Sequence, residues 1–200
     1  MSCQALGRTT LPPPRRDAGA PLLAALAQRR STRAFDARPI PLPLLSELLW
    51  AADGINRPAS GGRTAPSARN WQEIEIFLAR AEGLCRYDAE AHALLHVHDR
   101  DIRAATGAQD FVGTAPLDLV YVADLSRVDT ADPVERRFYC GADAGFVAQN
   151  VYLYCASEGL ACVVRGRLDR PALAQAMQLH RRQRVILAQT VGYPAPQPAA

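Results

Sequence analysis

The sequence contains no lysine: all 23 of its basic residues are arginine. That absence removes Schiff-base enzymes, P-loop NTPases and kinase-type phosphate lysines, each of which needs an ammonium group. Anions and polarised carbonyls are left to the planar, permanently charged guanidinium. Aromatic residues are scarce, at 6%, and the net charge is only +3. A nucleic-acid binder would interleave aromatic and basic residues in a strongly positive domain, so no nucleic-acid partner is expected. No apolar run approaches the roughly 18 residues that a membrane-spanning helix needs. Met1 to Ala20 carries arginines and prolines where a signal peptide needs an uninterrupted apolar stretch. The expectation is a soluble, cytoplasmic protein with no membrane partner; an exported location would require a precursor segment ahead of residue 1. The five cysteines, Cys3, Cys85, Cys140, Cys155 and Cys162, are odd in number and contain no C-x-x-C pair. This argues against a disulfide framework and a zinc knuckle, and fits a reducing compartment with buried, unreactive thiols.

What is present suits one globular domain: 200 residues, 48% hydrophobic and 22% charged, bury a core without disulfides or metal. Residues 1–20, rich in proline and arginine through Asp17, read as a flexible arm before a single domain over 21–200. Pro21 opens a helix with Leu22, Leu23 and Leu26 on one face. After a turn from Phe35 to Pro43, the spacing of Leu44, Leu45, Leu48, Leu49 and Ala52 predicts an amphipathic helix stopped at Gly54. Glu73 to Ala79 alternates as a strand, Leu84–Tyr87 and Ala93–Val97 form a hairpin around Asp88-Ala89-Glu90, and Asp101–Val112 is helical in part. Leu117–Ala123 is a buried strand, Asp143–Ser157 a long helix capped by Gly159, and Leu160–Val164 a short strand. Asp169 caps a helix carrying Leu173 and Met177, and Val185–Gly192 is a final strand. The class is α+β, with helices around a small sheet.

Three segments carry candidate chemistry. Arg29-Arg30-Ser31-Thr32-Arg33-Ala34-Phe35 puts three arginines within five residues at a helix end. They are either solvated cations offsetting the helix dipole or, with the serine hydroxyl, a phosphate site. Arg63 to Asn70 lies in a loop, Asn56–Asn70, too long for a mere connection. Its small residues let backbone approach a flat ligand, although a structural turn explains Pro66 and Ser67 equally well. Val163-Val164-Arg165-Gly166 ends an apolar strand at an arginine and a glycine whose amides could face a ligand.

Arg29-Arg30-Ser31-Thr32-Arg33-Ala34-Phe35 resembles the R-R-S-x-R-x-F signature of the FMN-dependent nitroreductase family. Asn70 after Pro66-Ser67-Ala68 is similar to the family's second flavin segment, and Asp143 to Asn150, continuing to Gly159-Leu160, to its long dimer-core helix and the strand that follows. The match runs in order from about Pro21 to Pro194. It implies a three-layer α/β/α fold, a small, mostly antiparallel sheet surrounded by helices, in a homodimer. It also implies FMN as cofactor and NAD(P)H as reductant, in a ping-pong reduction of nitroaromatic, quinone or similar small acceptors. Arg29, Ser31 and Arg30 would hold the FMN phosphate and ribityl chain, and Arg33 would reach the pyrimidine edge. Pro66, Ser67, Ala68 and Asn70 would cover the ring from the partner subunit. Val163, Val164, Arg165 and Gly166 would line the other edge with a backbone donor near N5. No side chain is assigned as catalytic, because the chemistry belongs to the cofactor. The family's basic residue after the last strand is missing, since Tyr193-Pro194 leads into an uncharged tail. The Pro-Trp that often follows the Asn segment is here Asn70-Trp71-Gln72-Glu73. Arg29, Arg30 or Arg63 would then carry the phosphate charge, and Arg165 would bias the acceptor toward anionic or quinone-like molecules.

Other readings are a flavin-dependent dehydrogenase or oxidase of another substrate, such as an azoline ring, and a non-catalytic flavin-binding protein. His92, His96 and His98 with Asp99 could form a metal site, but no convincing fourth ligand follows, and none is assigned. Cys140 or Ser67 as a nucleophile lacks both an elbow motif and a placed histidine base.

Overall fold

The computed structural model describes residues 7–196. Helices α1 (Leu22–Gln28), α2 (Leu42–Asp53), α3 (Pro133–Ser157) and α4 (Arg170–Ala176) flank a sheet. The strands are β1 (Arg8–Thr10), β2 (Phe35–Asp36), β5 (Ile74–Arg80), β6 (Gly83–Asp88), β7 (Ala93–His98), β8 (Leu117–Asp124), β9 (Ala161–Arg165) and β10 (Gln183–Pro194). A separate small hairpin joins β3 (Ile55–Arg57) to β4 (Gly62–Arg63). The sheet order is β1-β7-β6-β5-β8-β10-β2, with β9 also on β10, and every pairing is antiparallel.

Both sheet faces are covered, which makes three layers. On β5, Ile74, Ile76 and Leu78 join Leu45, Leu48 and Leu49 of α2 and Val147 and Val151 of α3 in the larger core. Phe77 and Ala79 point the other way, to Val120, Val122 and Leu173 of α4. The strand period of two puts alternate side chains in different cores, so β5 and β8 are apolar almost throughout. Fully burying each leucine of α2 contributes roughly 2 kcal/mol.

Several local expectations change. The long helix begins at Pro133, ten residues before Asp143, where Asp132 caps it by accepting from the Val134 amide at 2.8 Å. Its first turns carry no inward apolar stripe, because Val134 and Phe138 are exposed. At the other end Gly159 takes a φ of 69°, the left-handed conformation that glycine adopts without strain. Helix α1 docks on α3 through buried Ala25, and Leu22, Leu23 and Leu26, read as one apolar face, are exposed. A small residue allows close approach of the helices; periodicity reveals an apolar face, not what covers it.

The described part of the N-terminal arm is tied down. β1 pairs with β7, Leu11 is buried, and Arg15 donates to Glu47 through Nε and Nη2 at 2.5 and 2.8 Å. This pairing uses backbone, which a composition reading does not see. Cys3 lies outside the described residues. The three hairpin histidines diverge: His92 meets Ser46 and Tyr87, His96 meets Asp99, and His98 meets the Ala176 carbonyl. Among the described residues no His, Cys, Asp and Glu group is arranged to hold a metal.

Candidate active site

The arginine cluster leaves α1 as extended chain along β9. The Thr32 amide donates to the Cys162 carbonyl at 2.9 Å, and Phe35 pairs with Pro194. Tyr152, from the last turns of α3, joins this segment to β9. Its hydroxyl accepts from the Val164 amide at 2.9 Å and shares a hydrogen bond with Ser31 Oγ at 2.8 Å. The Arg29 guanidinium lies 5.3 Å from the Tyr152 ring centre, within cation–π range. A cavity of about 380 Å³ is lined by Arg29, Arg30, Thr32 and Tyr152. Among the described residues no carboxylate forms an ion pair with Arg29, Arg30 or Arg33. Through Tyr152 the structure links Arg29 and Ser31 to Val164 of β9, and Arg30 lines the same cavity as Arg29. Tyr152 was missed in the sequence, where it reads as one more core position of a helix.

The end of β9 has a definite inside and outside. Val163 is buried, Val164 half-buried and Gly166 exposed. Arg165 turns inward: its Nη2 lies 2.7 Å from Asp118 Oδ1 and 3.2 Å from Thr106 Oγ1, and its Nη1 donates to the Thr106 carbonyl. Gly107 leaves the space it needs, since a Cβ there would stand 2.0 Å from Nη1. Burial pushes the Asp118 carboxyl up to about 6, with Arg165 and the Thr190 hydroxyl opposing the rise. The Arg165 charge therefore faces Asp118 in the core rather than the strand end, which removes the expectation that it selects acceptors. Its backbone stays at the edge beside Gly166.

The loop segment is held elsewhere. The Ala68 amide donates to Asp143 Oδ2 at 2.8 Å, Ser67 Oγ donates to Glu73 Oε2 at 3.2 Å, and the Gln72 amide donates to Ser67 Oγ at 2.8 Å. Arg69 reaches Glu135 at 2.7 Å. Arg69, Asn70 and Gln72 all take left-handed φ values of 50°, 55° and 49°, a costly run for non-glycine residues that these anchors maintain. Pro66 and Asn70 remain exposed. Burial, followed by the nearby Asp143 charge, lifts Glu73 to about 6; burial lifts Asp53 to about 7 against the pull of Arg63. Arg63 is held by Asp53 at 3.3 Å and Gln72, and so is not free to serve a phosphate. Burial and the Glu73 charge push the Cys140 thiol up to about 12, which favours its protonated form.

Asp143 and Tyr152, the two anchors, are nine residues apart on α3. At about 1.5 Å and 100° per residue, that is about 14 Å along the axis and half a turn around it. The loop and the arginine cluster are thus anchored on opposite flanks of one helix.

The model of the Nitroreductase family matches residues 26–193. The chain belongs to the nitroreductase family.

A candidate nitroreductase of Methanocaldococcus jannaschii is 34% identical over 152 residues, which is 70% of this chain and 76% of that one. The crystal structure of a candidate nitroreductase from Ralstonia eutropha superposes with a TM-score of 0.91 at 49% identity, covering 95% of this chain and 90% of that chain. The NADPH:FMN oxidoreductase of Vibrio harveyi, complexed with NAD+, shares the fold at 24% identity and a TM-score of 0.66, over 90% of this chain and 71% of its own. The expected nitroreductase architecture of helices around an antiparallel sheet is the one observed, and family membership makes this chain an oxidoreductase.

Proposed function

We propose that this nitroreductase-family protein is an FMN-dependent oxidoreductase that works as a homodimer, with NAD(P)H as reductant and a nitroaromatic, quinone or similar small acceptor as second substrate. The observation that carries the reading is the pair Arg29 and Arg30 beside a cavity, with Arg33 close by in the chain and no carboxylate paired to any of the three, on a segment joined by Tyr152 to β9. Three cations held together without a carboxylate repel one another, and a bound phosphate relieves that repulsion while accepting charge-assisted hydrogen bonds. Gly166 adds support: a Cβ there would meet only Leu187 at 3.7 Å, so the fold itself does not require glycine, whereas a flat ligand against the strand end would. These residues fit FMN.

The chemistry supplied by bound FMN is two-electron transfer in two half-reactions, from NAD(P)H and then to the acceptor. Arg29, Arg30 and Ser31 would hold the phosphate and ribityl chain, and Arg33 would favour negative charge on the pyrimidine edge. Val163, Val164, Arg165 and Gly166 would offer the strand end as a backbone edge, and Pro66, Ser67, Ala68 and Asn70 of the partner subunit would cover the ring. Dimerisation is supported by the apolar surface of Leu22, Leu23, Phe138 and Phe146, which are 63%, 79%, 68% and 47% exposed. Among the described residues, no helix is long and apolar enough to cross a membrane, and four free buried cysteines fit a reducing, cytoplasmic setting.

The test is an absorbance spectrum of the purified protein, followed by anaerobic addition of NADH and, separately, NADPH. Oxidised-flavin bands that bleach with either donor and return on adding an acceptor are expected. A colourless protein that cannot be reconstituted with FMN would overturn the reading.

A further inference from the structure

A groove of about 460 Å³ opens where β9 ends and the N-terminal half of β10 lies uncovered. Its floor is apolar, with Leu125 and Ile186, and its walls carry Arg136 and Arg137 from the first turns of α3, Arg170 from α4 and Arg184 from β10. Two of the four are fixed by neutral acceptors. Arg170 donates to the carbonyls of Gly166, Val185 and Ile186 at 3.1, 3.2 and 2.9 Å, and Arg184 to those of Arg181 and Gln183 at 2.7 and 2.8 Å. Such bonds orient a guanidinium without cancelling its charge.

The acids around the groove are committed elsewhere. Asp124 binds Ser126, Glu135 binds Arg69 and Thr130, and Asp132 and Asp169 cap their helices. Among the described residues none forms an ion pair with Arg136, Arg137, Arg170 or Arg184. Arg136 and Arg137 also stand in the first turns of a 25-residue helix, where the dipole disfavours cations. Four like charges without a counter-ion repel one another, and an anion in the groove would relieve that repulsion. Through the Gly166 carbonyl, Arg170 ties the groove to the strand end assigned to the redox centre.

We propose that this groove selects the electron acceptor: a flat aromatic molecule bearing a carboxylate, its ring on Leu125 and Ile186 and its anion among the arginines. The proposal rests on the oxidoreductase reading above. For a nitro acceptor the step is balanced: NADH and a proton from solvent supply two electrons and two protons, one N–O bond breaks, and the nitro group becomes nitroso plus water.

The experiment compares 4-nitrobenzoate with uncharged 4-nitrobenzamide, in the parent holoenzyme and in the double variant Arg136→Gln/Arg137→Gln, with binding of 4-nitrobenzoate measured separately by titration calorimetry. Loss of cations from the start of α3 relieves the dipole, so the variant should fold. In the parent, kcat/KM should favour nitrobenzoate about tenfold, and in the variant that ratio should collapse through KM, with calorimetric affinity falling about tenfold. An equal ratio in parent and variant, or a variant change confined to the KM of NADPH, overturns the groove's role while leaving the oxidoreductase reading intact. Calorimetric binding that depends on the arginines without turnover of either acceptor overturns the oxidoreductase reading and leaves an anion site.

Discussion

Tyr152 serves two partners with one hydroxyl, accepting from the Val164 amide and meeting Ser31. In Tyr152→Phe the amide loses its acceptor and Ser31 its tether. Unfolding in urea should show a loss of about 1–2 kcal/mol, and flavin titration a several-fold weaker affinity, with the far-ultraviolet circular dichroism unchanged. Arg165 presents the opposite case, a charge used only inside. Arg165→Met would strand Asp118 in the core and should cost roughly 3–5 kcal/mol in the same assay, whereas Arg165→Met with Asp118→Leu should recover a large part of it. The direction of Arg165 was not legible in the sequence. A strand period puts Val164 and Arg165 on opposite faces, but the carboxylate that receives the charge is 47 residues away, and nothing local couples the two. Arg29, Ser31 and Arg33 could be proposed as an anion site from the sequence because such a site is local: consecutive polar groups on extended chain need no distant partner to offer one.

Elements whose side chains alternate or repeat toward a core were readable. β5 and β8 follow from their apolar alternation, and α2 from its leucine stripe up to Gly54, where a Cβ would stand 2.4 Å from the Trp50 ring. β1 was not readable, because its three residues are exposed and only its backbone pairs. The start of α3 hid for a related reason, its apolar residues there facing outward. The loop through Ser67 and Ala68 carries a testable pH signature. Glu73, lifted from 4.5 to about 6, favours the folded state while protonated, so its contribution is full below pH 4.5 and is lost as pH rises through 6. Glu73→Gln lacks that loss. The unfolding free energy of the variant, minus that of the parent, should therefore rise between pH 4.5 and 6.5 and then level off, as checked by urea unfolding at four pH values. A flat difference would mean that the Glu73 carboxyl titrates alike in both states.

At the scale of the molecule, α3 divides the proposed site: Asp143 holds the loop on one flank, Tyr152 the arginine cluster on the other. Phe138 and Phe146 are exposed on the same helix. Replacing both with glutamate should leave the secondary structure intact, convert the proposed dimer to a monomer in sedimentation velocity, and lower flavin retention at least tenfold, since apolar surface drives such pairing. Retained flavin in a monomer would mean that one chain closes the site unaided.

The division across α3 also permits two broken proteins to repair each other. A chain with Arg29 and Arg30 replaced still owns a sound loop, and a chain with the 66–70 segment disrupted still owns a sound cluster. Each is inactive alone in the proposed symmetric pair. Dissociated and reassociated in equal amounts, half of the dimers would be mixed, and each mixed dimer would combine the two sound parts in one of its two sites. About a quarter of parental activity should return, a genetic complementation between alleles written into the two sides of a single helix.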